Sequence, residues 1–231
     1  MWQALRTELH PRGVEIVTVA LDVDPAEARP YIDAAQPTHP SLLDEGHIVD
    51  EMFGVVNVPN GVWIDENGMI VRPAEPAHPG RNPVNESFRN IDLSTVPPDV
   101  AEMLTEARKI RSDPEVYVAM LRDWVEHGAA SRYVLAPDEV VRRSRPRSDA
   151  EATAAAHFEL GRHLHQAGEH PAAIVHWRAA HRLDPDNWTY KRNAWNFEDP
   201  GRQGHTDAYD SSWFEDIKKI GAENYYPPIV S

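Results

Sequence analysis

The chain has 231 residues, enough for one large domain or two small ones. Its 41% hydrophobic content suits a protein with a buried core, while a formal charge of −14 speaks against nucleic acid or an anionic membrane surface as the main partner. It contains no cysteine, which excludes disulfides, cysteine zinc sites and any thiol chemistry by this chain.

No apolar run approaches the length needed to span a bilayer. Residues 1–10 read as an amphipathic helix with neither the basic nor the apolar region of a secretory signal, so the expected compartment is cytoplasmic. The β-branched run from Gly13 to Leu21 predicts a strand buried on both faces. Asp24 followed by Pro25 predicts a capped helix reaching about Ala35. After the breakers Pro37 and Pro40, residues 48–53 predict a helical turn ended by Gly54. Residues 61–65 and 69–72 predict two short strands, joined through Asn67-Gly68 as a hairpin.

Residues 73–99 carry prolines at 73, 76, 79, 83, 97 and 98 and read as a linker or irregular loop. Helices are expected from about Pro98 to Arg111, from Pro114 to the cap at Gly128, and over part of 137–145. Ser148 and Glu151 form a capping box before an alanine-rich helix that ends near Gly168. Further helices are expected from Pro171 to about Leu183, from Trp188 to Phe197, and between a cap at Ser211 or Ser212 and a stop at Gly221.

Four segments of the first third then occur in a telling order. They are the strand 14–21 followed by Asp22, Pro40-Ser41-Leu42-Leu43-Asp44, Phe53-Gly54-Val55-Val56-Asn57-Val58-Pro59, and Trp63-Ile64-Asp65-Glu66-Asn67-Gly68-Met69-Ile70. Together they resemble the later part of a thioredoxin-fold domain, closest to the bacterial-type TlpA-like redoxins, whose members are thiol–disulfide oxidoreductases. The resemblance implies a cis bond between Val58 and Pro59, beside the place of the family's redox cysteines. The family's W-C-x-x-C motif and the central strand before it have no counterpart here, so no catalytic residue carries over. Two explanations are open: a fragment or late start of a longer enzyme, which is favoured, or a degenerate protein whose sheet another element fills. Loss of that strand would expose two ladder edges and favour a homodimer.

Residues from about 154 to 187 resemble a tetratricopeptide repeat, with the 34-residue spacing of that unit. Leu160, Gly161 and Leu164 fall on the first helix, Gly168 at the turn, Ala173, Trp177 and Ala180 on the second helix, and Pro185 at the close. One such pair cannot bury both its faces, so the helices around 114–127, 188–198 and 211–220 are expected to cover it.

The twelve histidines include His157, His163, His165, His170 and His176, read as scattered surface groups in preference to a metal site. Asp22, Asp24 and Asp44 read as cap and turn residues rather than an acid–base set. Arg142, Arg143, Arg145 and Arg147 read as a solvated linker. Trp188, Trp195, Trp213, Tyr225 and Tyr226 read as core and tail-docking groups. No phosphate loop, nucleophile elbow or two-histidine zinc motif is present, and no cofactor is implied.

The expected architecture is an incomplete α/β thioredoxin-like N-terminal unit (1–75) and an all-α tetratricopeptide-like C-terminal unit (113–200). A proline-rich linker and helix (76–112) joins them, and a tail (201–231) follows. The expected function is that of a redoxin-family protein not catalytic alone; the alternative is a non-enzymatic interaction scaffold built on the helices, with a protein partner.

Overall fold

The computed structural model describes residues 1–81, 83–199, 203–204 and 206–229. The N-terminal part is mixed α and β. Helix α1 (Trp2–Leu9) buries Leu5 and Leu9. Strand β1 (Thr18–Ala20) pairs in parallel with β2 (Ser41–Leu43), with Val19 opposite Leu42. Helix α2 (Pro25–Ala35) crosses between them, its first turn closed by the Asp24 carboxylate, which accepts the Ala26 N–H at 2.9 Å. The Asp44 carboxylate does the same for α3 (Ile48–Phe53), accepting the N–H groups of Ile48 at 3.0 Å and Val49 at 2.6 Å. Strands β3 (Asn60–Ile64) and β4 (Ile70–Pro76) form an antiparallel hairpin. Asp65 accepts from the Asn67 and Met69 N–H groups at the turn, and Gly68 takes the positive φ of 79° that the turn requires.

Among the described residues β1 and β3 lie in separate two-stranded sheets. The expected strand 14–21 is therefore corrected to three residues, and it is half-buried rather than buried on both faces, with Val17 52% exposed. The reason is the partner: a ladder extends only as far as its neighbour, and β2 is three residues long.

The segment expected as linker is more ordered than its prolines suggest. Strand β4 runs on to Pro76, and Ala77 is fully buried. Helix α4 (Pro83–Arg89) and a 3-10 turn at Leu93–Thr95 precede α5 (Pro98–Ala107), which stops short of the expected Arg111. Pro83 and Pro98 open helices, where a missing N–H costs nothing.

Two apolar cores result. In the first, α1, β3 and Ala77 pack against α6 (Pro114–His127) through Leu5, Leu9, Trp63, Tyr117, Met120 and Leu121. Helix α6 thus belongs to the core of the α/β part, a correction to its expected place against the repeat. Arg72 of β4 is buried beside this core and fixes the loop that follows α6. Its guanidinium donates to the Tyr133 carbonyl at 2.7 Å and grips Glu75 at 2.5 and 2.8 Å. Helix α7 (Pro137–Arg143) follows.

The second core belongs to the helices. Helices α8 (Asp149–Gln166) and α9 (His170–Leu183) form a hairpin that α10 (Trp188–Asn196), α11 (Trp213–Ile220) and the tail close. Both arms of the capping box at Ser148 and Glu151 are made, and Ser212 with Glu215 forms a second one. Ala173, Trp177 and Ala180 are fully buried, and Gly161 lies under the Trp177 indole. Gly168 makes the turn with φ 84°, Leu164 packs at the core's margin, and Pro185 is exposed just past α9. Leu160, expected to pack, is 42% exposed, because no helix pair stacks on its side of α8 among the described residues. Trp188, Trp195 and Tyr225 are buried, and Trp213 and Tyr226 pack on the same core.

Replacing Ala173 with leucine is expected to cost about 1–3 kcal/mol through overpacking. A melting temperature equal to that of the parent protein would contradict tight packing at this position.

Candidate functional site

An open groove of about 480 Å³ lies between α3 and α8. Its floor is apolar, built from Ile48, Ala152, Ala155 and Ala156. Its walls carry charges of both signs, Glu51 with Arg147 and Glu159 with Arg162. Small side chains on α8 leave the space, since alanine reaches only one carbon beyond the backbone. The neighbouring Ile48 and Met52 are 62% and 76% exposed, which extends the apolar surface along α3.

A buried polar network holds the α3 wall in place. His47 and Asp50 are 0% and 2% exposed, and His47 Nδ1 lies 2.7 Å from Asp50 Oδ2. Asn193 of α10 donates through Nδ2 to His47 Nε2 at 3.2 Å and to the Leu21 carbonyl at 3.1 Å, and accepts the Val23 N–H at 3.3 Å. A neutral imidazole that accepts at Nε2 carries its proton on Nδ1, which it gives to Asp50. A histidine–carboxylate pair can orient a general base, but this one is closed to solvent and serves as a strut. Above it Glu51 accepts from the Tyr190 hydroxyl at 3.0 Å and from Arg147 at 3.3 Å. Burial, with Glu51 beside it, raises the Tyr190 phenol well above its ordinary range. Asp22 sits at the rim of this network, where burial pushes its carboxyl up against the opposing pull of a backbone hydrogen bond.

The Val58–Pro59 bond is cis, and its loop lies under the helical part. The Val56 carbonyl accepts from the Trp188 N–H at 2.7 Å and the Thr189 N–H at 3.3 Å. Asn57 donates to the Tyr225 carbonyl at 3.1 Å, and the Tyr226 hydroxyl donates to the Val58 carbonyl at 2.8 Å. The strand edges meet a different fate. Thr18 N–H and Ala20 C=O bond to the β2 side, so alternation turns the main-chain groups of Val17 and Val19 to the opposite edge. Asn193 takes up the far end of that edge at Leu21 and Val23, and no described strand pairs with the rest.

No family model, curated protein or solved structure matches the chain.

The fold gives the remaining candidate groups partners that the sequence does not reveal. The arginine run is largely solvated and also ion-paired: Arg142 and Arg143 bond Glu139, Arg145 bonds Glu151 and Arg147 bonds Glu51. Four of the five histidines named above meet in pairs, while His163 is exposed. His157 meets His176 and His165 meets His170, each pair bridging α8 and α9. No group of three or more His, Asp or Glu side chains is placed to hold a metal ion among the described residues. No helix among them is long and apolar enough to cross a membrane. The His47 network and buried Arg72 do not stand out in the sequence; the one available signal is a histidine three residues before an aspartate at a helix start.

Proposed function

We propose that the chain is a redoxin-related protein that acts by binding another protein rather than by thiol chemistry. The observation that carries this reading is the covered Pro59 loop. In the family the chain resembles, that loop lies beside the redox cysteines and so must stay open to a substrate. Here Trp188, Tyr225 and Tyr226 occupy it, and the chain has no cysteine to present. The surface this reading assigns to a ligand is the α3–α8 groove, whose apolar floor and paired charges suit a peptide segment. The open edge of β1 favours a second copy of the chain as a further partner.

A dithiothreitol-coupled insulin reduction assay is expected to run at the rate of the protein-free control. A peptide-display library is expected to enrich binders on the parent protein that an Ala156→Glu variant, with a carboxylate set into the groove, does not hold. Insulin turnover above control, or binders indifferent to Ala156→Glu, would reject the reading.

A further inference from the structure

We propose that the two histidine pairs on the α8–α9 hairpin form a proton-operated clasp, closed at neutral pH and released by mild acid. The clasp is independent of any ligand in the groove.

The nitrogen–nitrogen distance is the same in both pairs, although the rings are tilted by 30° in one and by 71° in the other. His157 Nδ1 lies 2.8 Å from His176 Nδ1, and His165 Nδ1 lies 2.8 Å from His170 Nδ1. Two nitrogens at that distance share one proton, so one ring donates and the other accepts. A neutral pair meets this condition by choice of tautomers. A singly charged pair meets it too, with the cation as donor. A doubly charged pair cannot, because two N–H groups then point at each other and two positive charges stand side by side. The clasp therefore tolerates the first proton and opens on the second.

The pairs differ in their surroundings. His170 Nε2 lies 2.5 Å from Glu198 Oε1, just beyond α10, so its N–H is committed to that carboxylate. A neutral His170 then accepts at Nδ1 and His165 donates; a charged His170 donates in both directions, to Glu198 and to His165. The chain His165–His170–Glu198 thus links three elements through ring protons. Trp177 of α9 and Phe197 line the His165 ring, with centroids 5.7 and 4.1 Å away, and add no charge. The His157–His176 pair has neither an acid nor a cation bonded to it among the described residues, and its rings lie 5.1 Å apart.

The direction of the response follows from His165. Burial, and then the neighbouring His170, lower it below the ordinary histidine range, with Glu198 opposing. A histidine lowered in the folded state binds its proton more readily when unfolded, so its stabilising contribution is present above the ordinary value of about 6.5 and is lost as the pH falls through the folded one. The consequence for the hairpin is mechanical. Gly168 supplies a turn with an open left-handed backbone, and the pairs are side-chain ties between the two helices on either side of it. Release leaves α8 held to α9 by the apolar contacts around Gly161 and Trp177 and by the Trp177–Phe158 hydrogen bond.

Two measurements with a metal chelator present decide the matter. Imidazole nitrogen NMR at about pH 7.5 is expected to show a scalar coupling across each Nδ1–H···Nδ1 bond, lost by about pH 5 while the fold persists. Absence of both couplings at the higher pH would overturn the proposal. In the second, His157→Asn and His165→Asn are combined, since an asparagine amide can replace Nδ1 in the bond but takes up no proton. The parent protein is expected to lose more melting temperature between the two pH values than this variant. His181, which burial lowers to about 3, and His78, also lowered by burial, act equally in both proteins and cancel in the comparison. Equal losses would overturn the clasp. Where the double variant does not fold, His165→Asn and His176→Asn, each made alone and compared at the same pair of pH values, decide the two pairs separately.

Discussion

Truncating Trp177 to alanine is expected to remove about 3–5 kcal/mol of stability, the range for a large aromatic deleted from a core. Trp177 is fully buried at the centre of the α8–α9 hairpin. It stacks on Phe197 with ring planes 6° apart and centroids 5.1 Å apart, and its Nε1 donates to the Phe158 carbonyl at 3.3 Å. Gly161 is what admits it: a Cβ there would sit 2.5 Å from Trp177 Nε1, closer than such atoms approach. The loss leaves a large cavity, because the alanines and Gly161 beside the indole have little side chain to move in and the rings around it are held by their own partners. Urea unfolding followed by circular dichroism measures the effect. A loss within about 0.5 kcal/mol, the scale of a surface substitution, would show that the indole is not the keystone of this core.

Replacing Arg72 with methionine is expected to destabilise the α/β part by about 3–5 kcal/mol, because it strands a carboxylate that has lost its partner. Arg72 is 1% exposed and Glu75 13%. The guanidinium binds both Glu75 oxygens, donates to the Tyr133 carbonyl and lies 5.5 Å from the centre of the Trp63 ring. Replacing Glu75 with glutamine in the same chain removes the stranded charge, so the double variant is expected to recover a good part of the loss. A double variant no more stable than Arg72→Met would show that the carbonyl bond to Tyr133 and the packing on Trp63, rather than the charge, carry the effect.

The two halves of the chain are legible to different depths. The hairpin α8–α9 declares itself through Leu160-Gly161 and the spacing of Ala173, Trp177 and Ala180, since a helical period repeats within one segment. The strand expected over 14–21 overshoots β1 because a β-branched run reports a preference for extended backbone, whereas pairing needs a neighbour, and the neighbour lies more than twenty residues on. The proline at 83 misleads in the opposite sense: it reads as loop, and it opens a helix. The groove leaves no trace in the sequence, because exposed alanines on a helix look like good helix formers and nothing more.

What the sequence determined by itself are the features whose partners lie within about four residues, the reach of a capping side chain or a tight turn. Ser148 with Glu151, Asp24 with Ala26 and Gly68 in its hairpin all belong here. The tertiary structure alone decided which histidines meet, since His157 and His176 are 19 residues apart and share a proton only once α8 and α9 are packed. It alone buried Arg72, whose carbonyl partner is 61 residues away, and set α6 against α1 and β3 instead of the repeat. The physical reason is common to these cases. A side chain's burial and partners depend on which distant segments exclude water from it, and a local pattern carries the propensity to be buried without the identity of what covers it.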